Sequence, residues 1–329
     1  MKSIRITGTG SYLPKAVLTN FDLEGMVETS DEWIRKRTGI KERRVASTEQ
    51  SSSDLAREAA LQALSQAGRR AADLDLIVMA TITPDTCCPS GANWLESKIK
   101  AAKAVSFDVT AACCGFIFAL SVAEQYLKNG TYHTALVVAA EVMSRTVNWQ
   151  DRSSCILWGD GAGAAVLESE VNNGAEIIST ILHTDGSGGA NLLMPGGGSK
   201  TTPISHESVD QGLHYLRLLD APSTFKVAVA HFTQACEEAV ERNGLSLEEI
   251  SLIIPHQANL RIMQAMAKKL KIPMEKIFVN IDRYGNMSSA SMAVALDEAV
   301  RQGQISKGDY VLLCGFGGGL TWGSCLLRW

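Results

Sequence analysis

The chain has 329 residues, 46% of them hydrophobic, with eight cysteines and a net charge of −4. Such a length makes two domains or one large α/β domain with a substantial core. The acidic balance lacks the basic signature of a nucleic-acid binder, and no apolar run approaches the length that spans a bilayer.

The first segment, MKSIRITGTGSYLP, carries no apolar stretch of the signal-peptide kind, and IRIT (4–7) reads as a strand. The sequence DLAREAALQALSQAG (54–68) places alanine and leucine at i, i+3 and i+4 and ends on glycine, which predicts a helix. LDLIVMAT (74–81) predicts a buried strand. AVSFDVTAACCGF (104–116) runs from a strand into a helix predicted over 113–127, with Asn129-Gly130 as its stop. ALVVAA (135–140) is a further strand, and VNNGAE (171–176) is the expected crossing between two halves. TILH (180–183) reads as a strand, and MPGGGSKTTPISHES (194–208) as an irregular loop. Helices follow at 230–244 and 289–303, and strands at ISLIIPHQ (250–257) and VLLCGF (311–316).

These elements repeat. Gly68 and Gly244 are 176 positions apart, and so are Leu76 and Leu252, Leu120 and Leu296, and the strands at 135–140 and 311–316. The strands at 4–7 and 180–183 keep the same offset, and a tandem duplication, 1–172 and 173–329, accounts for one offset running through five elements. Each half alternates strand and helix, which predicts parallel strands covered by helices. A pseudo-twofold relation between the halves would bring their equivalent loops together across a shared cleft.

Four segments face that cleft. Cys113 falls where strand meets helix, beside unpaired backbone N–H groups and the positive end of the dipole. That setting is expected to lower the thiol pKa and to supply oxyanion donors. Cys114 lies about 100° further round the helix and cannot share the same pocket equally well. His256, in PHQAN (255–259), is the 176-residue equivalent of Ala80 at a strand end. Asn286 lies in the loop DRYGNMSSAS (282–291), before the equivalent of the Cys113 helix. CGFGGGLTWG (314–323) places three glycines after a strand, so backbone can approach a ligand closely. No Gly-Lys-Ser/Thr follows, so this is no phosphate loop. A Cys, His, Asn set also occurs in papain-like proteases, but a duplicated α/β chain does not fit that class. Arg261, Lys268 and Lys269 share one side of a helix; they read as a basic face for an acidic protein partner or as a solvated face. Eight cysteines without a signal sequence suggest reduced thiols and a cytoplasmic protein.

The motifs DVTAACCGF, GDGAGAAV (159–166), PHQANLRI, YGNMSSAS and GFGGGLTWGS, with GTGSYLP and TSDEWIRKRTGIKERR (29–44), strongly resemble the β-ketoacyl-[acyl-carrier-protein] synthase III family. The resemblance runs nearly end to end. It implies a thiolase-like fold, two duplicated α/β halves in a layered αβαβα sandwich, and a homodimer. It implies Cys113 as nucleophile, His256 and Asn286 as its catalytic companions, and Gly318 joining Cys113 in the oxyanion hole. Trp33 and Arg152 would sandwich the adenine of coenzyme A, with Arg37, Phe225, Asn259 and Arg261 around the rest of it. Lys226, Arg261, Lys268 and Lys269 would meet the acyl carrier protein (ACP).

The implied reaction acylates Cys113 from acyl-CoA, a substrate, and then condenses the acyl group with malonyl-ACP. Neither cofactor nor metal is expected, and neither nucleic acid nor membrane is an expected partner. Three departures stand out. Cys88 occupies a gate position that is often a bulky aromatic, which would admit longer or branched primers. Met287 follows Asn286 where threonine is usual, and Ala221 stands near a common glycine. These keep open a specialised paralogue acting in polyketide priming, pimelate-type condensation or simple acyl transfer, as well as a silent acyl-CoA-binding dimer.

Overall fold

The computed structural model describes residues 2–199 and 203–329; three positions of the expected 194–208 loop lie outside the described residues. The strands in chain order are β1 (Ile4–Tyr12), β2 (Ala16–Thr19), β3 (Glu42–Val45), β4 (Leu76–Ala80), β5 (Val105–Val109), β6 (Thr134–Val142), β7 (Asp160–Ser169), β8 (Ala175–Thr184), β9 (Leu192–Leu193), β10 (Arg217–Leu218), β11 (Ile250–Pro255), β12 (Tyr310–Gly317) and β13 (Thr321–Arg328). The helices are α1 (Asn20–Glu24), α2 (Asp31–Thr38), α3 (Ser52–Ala67), α4 (Gly91–Ile99), α5 (Gly115–Lys128), α6 (His206–Asp210), α7 (Ala221–Arg242), α8 (Leu260–Leu270), α9 (Ile281–Tyr284) and α10 (Ala290–Arg301).

Nine strands form one sheet in the order β11-β12-β13-β8-β1-β7-β6-β4-β5. From the central pair outward, β1-β7-β6-β4 mirrors β8-β13-β12-β11. Strand β4 runs parallel to β5 and β6, and β11 to β12; the remaining neighbours are antiparallel. The central seam is narrow, pairing Arg5 with Glu176 and Ile6 with Ala175.

Helices α5 and α10 pack between the two halves of the sheet and share one core with both. Their sequences dictate this. Phe116, Ile117 and Leu120 on α5 and Met292, Val294 and Leu296 on α10 are all buried, and α10 is buried almost all round, as a helix enclosed on both sides must be. Each such side chain contributes about 1.5–3 kcal/mol. Helices α3 and α4 cover the outer face of the first half through Leu55, Leu64 and Leu95, and α7 and α8 cover the second through Phe232, Met263 and Met266. The result is five layers, αβαβα, in the thiolase-like arrangement.

Two details differ from the sequence expectations. Cys113 is not in α5: it lies in a 3-10 turn, Ala112–Cys114, and α5 starts at Gly115. The 194–208 stretch is not all loop, because α6 begins at His206 behind its Ser205 cap.

Candidate active site

The Cys113 turn is held in an uncommon conformation. Ala112 has φ +45°, and Ser288, its 176-residue equivalent, has φ +47°. Each costs on the order of 1–3 kcal/mol, and close packing of the surrounding backbone compensates. A Cβ on Gly317 would stand 2.7 Å from the Cys113 nitrogen, so only glycine lets the end of β12 lie against the Cys113 turn. The Thr321 hydroxyl fixes this junction by donating to Ala111 O at 3.0 Å and Gly318 O at 3.3 Å. Gly317→Ala is therefore expected to slow Cys113 acylation and to cost about 1–3 kcal/mol of stability. Thioester exchange rates together with thermal unfolding check this, and a variant with wild-type values would refute the close-packing argument.

His256 ends β11. Its N–H donates to Cys314 O at 2.9 Å, and its imidazole is 1% exposed with Nδ1 unpaired among the described residues. Gln257 anchors the same turn: its Nε2 donates to Pro255 O and Phe278 O, and its Oε1 accepts from the N–H groups of Asn280 and Ile281. Asn286 is tied through its backbone to Leu157 O and to the Gly159 N–H. Its Oδ1 accepts from the Ser288 N–H at 2.8 Å. That bond uses the carboxamide oxygen and leaves Nδ2 as the free donor.

Cys113, His256, Asn286, Gly317 and Gly318 line one cavity of about 750 Å³, whose walls include Trp158, Leu192, Phe316 and Leu320. Trp33, Arg37, Arg152, Phe225, Lys226, Asn259 and Arg261 border the same cavity. Four of these are cations, a setting suited to a phosphorylated ligand. The guanidinium carbons of Arg37 and Arg152 lie 4.6 and 5.1 Å from the Trp33 ring centroid. A ring stacked between Trp33 and Arg152 needs about 7 Å, so the expected sandwich is closed here and Arg152 must lift to admit it. Phe225 is met instead by Arg261, at 5.8 Å. The side chain of Asn259 is occupied structurally, since its Oδ1 caps α8 through the Arg261 N–H and its Nδ2 donates to Arg37 O.

Lys268 and Lys269 are exposed on α8 but do not border the cavity. Cys88 is exposed, and it too lies away from the cavity of its own chain. Among the described residues no cluster of His, Cys, Asp or Glu could hold a metal.

Electrostatics correct one expectation. The turn does not lower the Cys113 pKa; burial pushes it up to about 12, only partly offset by the nearby Ser288 hydroxyl and the backbone. Burial raises Cys114 further. Burial also holds His256 down at about 3, so its imidazole is neutral. Sequence reasoning missed Ser288 and the buried Glu141. The signal for Glu141 was a lone carboxylate in the apolar strand ALVVAAEV; for Ser288 it was its place in the YGNMSSAS loop, two residues after Asn286.

Comparison with known proteins agrees with this geometry. The profile for 3-oxoacyl-[acyl-carrier-protein] synthase III matches residues 107–186, and that for its C-terminal part matches 240–329. The β-ketoacyl-[acyl-carrier-protein] synthase III of Caldanaerobacter subterraneus subsp. tengcongensis is 50% identical, over 98% of this chain and 97% of its own. The crystal structure of 3-oxoacyl-[acyl-carrier-protein] synthase III from Aquifex aeolicus superposes with a TM-score of 0.90 at 45% identity, covering 99% of this chain and 100% of that one. A priming β-ketosynthase of the R1128 polyketide pathway has the same TM-score, 0.90, but only 34% identity. A chain matched this closely over its whole length belongs to the β-ketoacyl-[acyl-carrier-protein] synthase III family of acyl-transferring condensing enzymes.

Proposed function

We propose that the chain takes an acyl group from acyl-CoA onto Cys113 and condenses it with malonyl-ACP, releasing CO₂ and β-ketoacyl-ACP and so initiating fatty-acid synthesis. The observation that carries this reading is the single cavity bordered by Cys113, His256, Asn286 and Gly318, with four cations among its lining residues. In the first half-reaction the Cys113 sulfur attacks the thioester carbonyl. The N–H groups of Cys113 and Gly318 hold the oxyanion, and CoA leaves. In the second, the malonyl thioester oxygen accepts hydrogen bonds from neutral His256 and from Asn286 Nδ2. Those donors stabilise the enolate formed as CO₂ departs. The enolate carbon then attacks the acyl-Cys113 carbonyl. Neither donor has to accept a proton, which suits an imidazole that burial keeps neutral.

CoA enters with its adenine on Trp33 after Arg152 lifts, and its phosphates face Arg37 and Arg261. Exposed Lys226, Arg261, Lys268 and Lys269 receive the acidic carrier protein. A homodimer forms through β5, whose outer edge is unpaired at the end of the sheet and is flanked by exposed Val105, Trp94 and Tyr126. An unpaired strand edge with apolar neighbours favours pairing with a second copy. The Cys88 loop is held to this face by Thr86, whose hydroxyl accepts from Trp94 Nε1 at 3.0 Å. Cys88 then gates the partner's acyl pocket, and its small side chain admits longer or branched primers. The halves 1–172 and 173–329 act as one catalytic unit. Eight free thiols, two of them exposed, suit a reducing cytoplasm.

Intact-protein mass spectrometry tests the reading, after incubation with acyl-CoAs from acetyl to decanoyl and with branched and dicarboxylic ones. The expected result is one acyl adduct that maps to Cys113 and discharges on malonyl-ACP. No adduct with any of them would overturn priming from CoA.

A further inference from the structure

His256 and Asn286 come from different elements, one at the end of β11 and the other after α9. Both must donate to one thioester oxygen, and such a donor is effective only within about 2.7–3.1 Å of the place where the charge develops. Their separation therefore has to be fixed. No described residue bonds to His256 Nδ1, so the place of the ring follows from its backbone.

Gln257 joins the two donors. Its side chain is fully buried and is not part of the cavity wall. Nε2 donates to Pro255 O and to Phe278 O, each at 3.0 Å. Oε1 accepts from the N–H groups of Asn280 at 3.0 Å and Ile281 at 3.2 Å. A carboxamide offers two donors and two acceptor sites, and these partners use all of them. The bond to Pro255 closes across His256, from the residue after it to the residue before it. The bonds from Asn280 and Ile281 satisfy N–H groups that the start of a helix leaves without partners. Asn280, at the N-cap position of α9, makes no side-chain cap there; its Nδ2 donates to Glu298 at 2.8 Å instead.

The path from one donor to the other is short. The Ile281 carbonyl accepts from the Gly285 N–H at 2.9 Å, and Gly285 directly precedes Asn286. The Asn286 backbone is held on its other side by Leu157 O at 2.8 Å and the Gly159 N–H at 3.0 Å. Cys113 is off this path, because its turn is tied to the end of β12 through the Thr321 hydroxyl.

We propose that Gln257 is a positioning residue for decarboxylation, setting the separation of the His256 and Asn286 donors without touching substrate. This rests on those two donors stabilising the malonyl enolate. A residue placed in this way acts on the second half-reaction and leaves the first alone. Methionine, of similar length, would lose all of the bonds. Glutamate would keep those to α9 but set an oxygen against the carbonyls of Pro255 and Phe278.

The test follows the two half-reactions separately on the full chain: Cys113 acylation by intact mass, and ¹⁴CO₂ release from labelled malonyl-ACP. Gln257→Met is expected to slow release about 30- to 100-fold, since a misplacement of about 1 Å costs on the order of 10² in rate. The loss should fall on kcat rather than on KM for malonyl-ACP, and acylation should stay within about threefold of wild type. Coupling separates positioning from a general defect. Once His256→Ala or Asn286→Ala has removed one donor, their separation no longer matters, so adding Gln257→Met should slow release by less than about threefold more. If Gln257→Met does not fold, Gln257→Glu carries the same test, with release slowed at least about tenfold. Three results would overturn the positioning role: release within about threefold of wild type, acylation slowed as much as release, or a loss that multiplies in full with His256→Ala. Failure of both variants to fold would also overturn it and make Gln257 a residue of the fold. A wild-type chain that is acylated but releases no CO₂ from malonyl-ACP would overturn the condensation reading, and this role with it.

Discussion

Cys113→Ala is expected to abolish acylation by every acyl-CoA, whereas Cys114→Ala keeps most of it. The two sulfurs are neighbours in sequence but not in environment. Cys113 borders the cavity, beside the glycines that end β12. Cys114 belongs to the core that α5 and α10 fill, is fully buried, and would have its Sγ only 3.0 Å from a Cβ at Gly315. No thioester can reach it without unpacking that core. Removing its sulfur leaves a small cavity worth about 1 kcal/mol of stability and leaves the cavity-facing turn in place. Intact mass after incubation with acyl-CoA, followed by peptide mapping, separates the two. An adduct that survives Cys113→Ala and disappears in Cys114→Ala would move the nucleophile by one residue.

His256→Ala and Asn286→Ala are each expected to slow malonyl-ACP decarboxylation by about 10²–10³, the usual loss for one donor to a developing oxyanion, while Cys113 still becomes acylated. Asn286→Asp should be slower than Asn286→Ala, because a carboxylate repels the enolate that the carboxamide stabilises. The pH dependence carries the same argument. Burial disfavours the imidazolium and lowers the His256 pKa to about 3, so the imidazole stays neutral at any pH well above that. The decarboxylation rate should therefore show no acid limb near pH 6.5. An inflection there would mean that the imidazole titrates like a solvated histidine and enters the step charged. Release of ¹⁴CO₂ from labelled malonyl-ACP between pH 5 and 8 measures both effects.

Much of the architecture was legible in the sequence, because repetition and periodicity are local properties of a chain. The 176-residue offset matched β6 to β12 and α5 to α10, since each pair solves the same packing problem with the same pattern of apolar residues. The motifs at Cys113, His256 and Gly318 were legible because each is a turn at a strand end, and Asn286 because it sits in a turn between two helices, α9 and α10; their roles came from the family resemblance of those motifs. Other features depended on contacts between distant segments, and only the tertiary structure decided them. Burial, set by α10 and the glycines of β12, overrides the helix end at Cys113, so the thiol is raised where the local sequence pointed to a lowered one. The side chain of Asn259 is committed to joining α8 to α2, and Arg152 covers Trp33. Glu141 and Ser289 are 148 positions apart, yet the Ser289 hydroxyl donates to the Glu141 carboxyl at 2.7 Å. They meet because β6 and the start of α10 converge in the fold. Proximity across the core is a property of the fold, and so is the protonation it imposes.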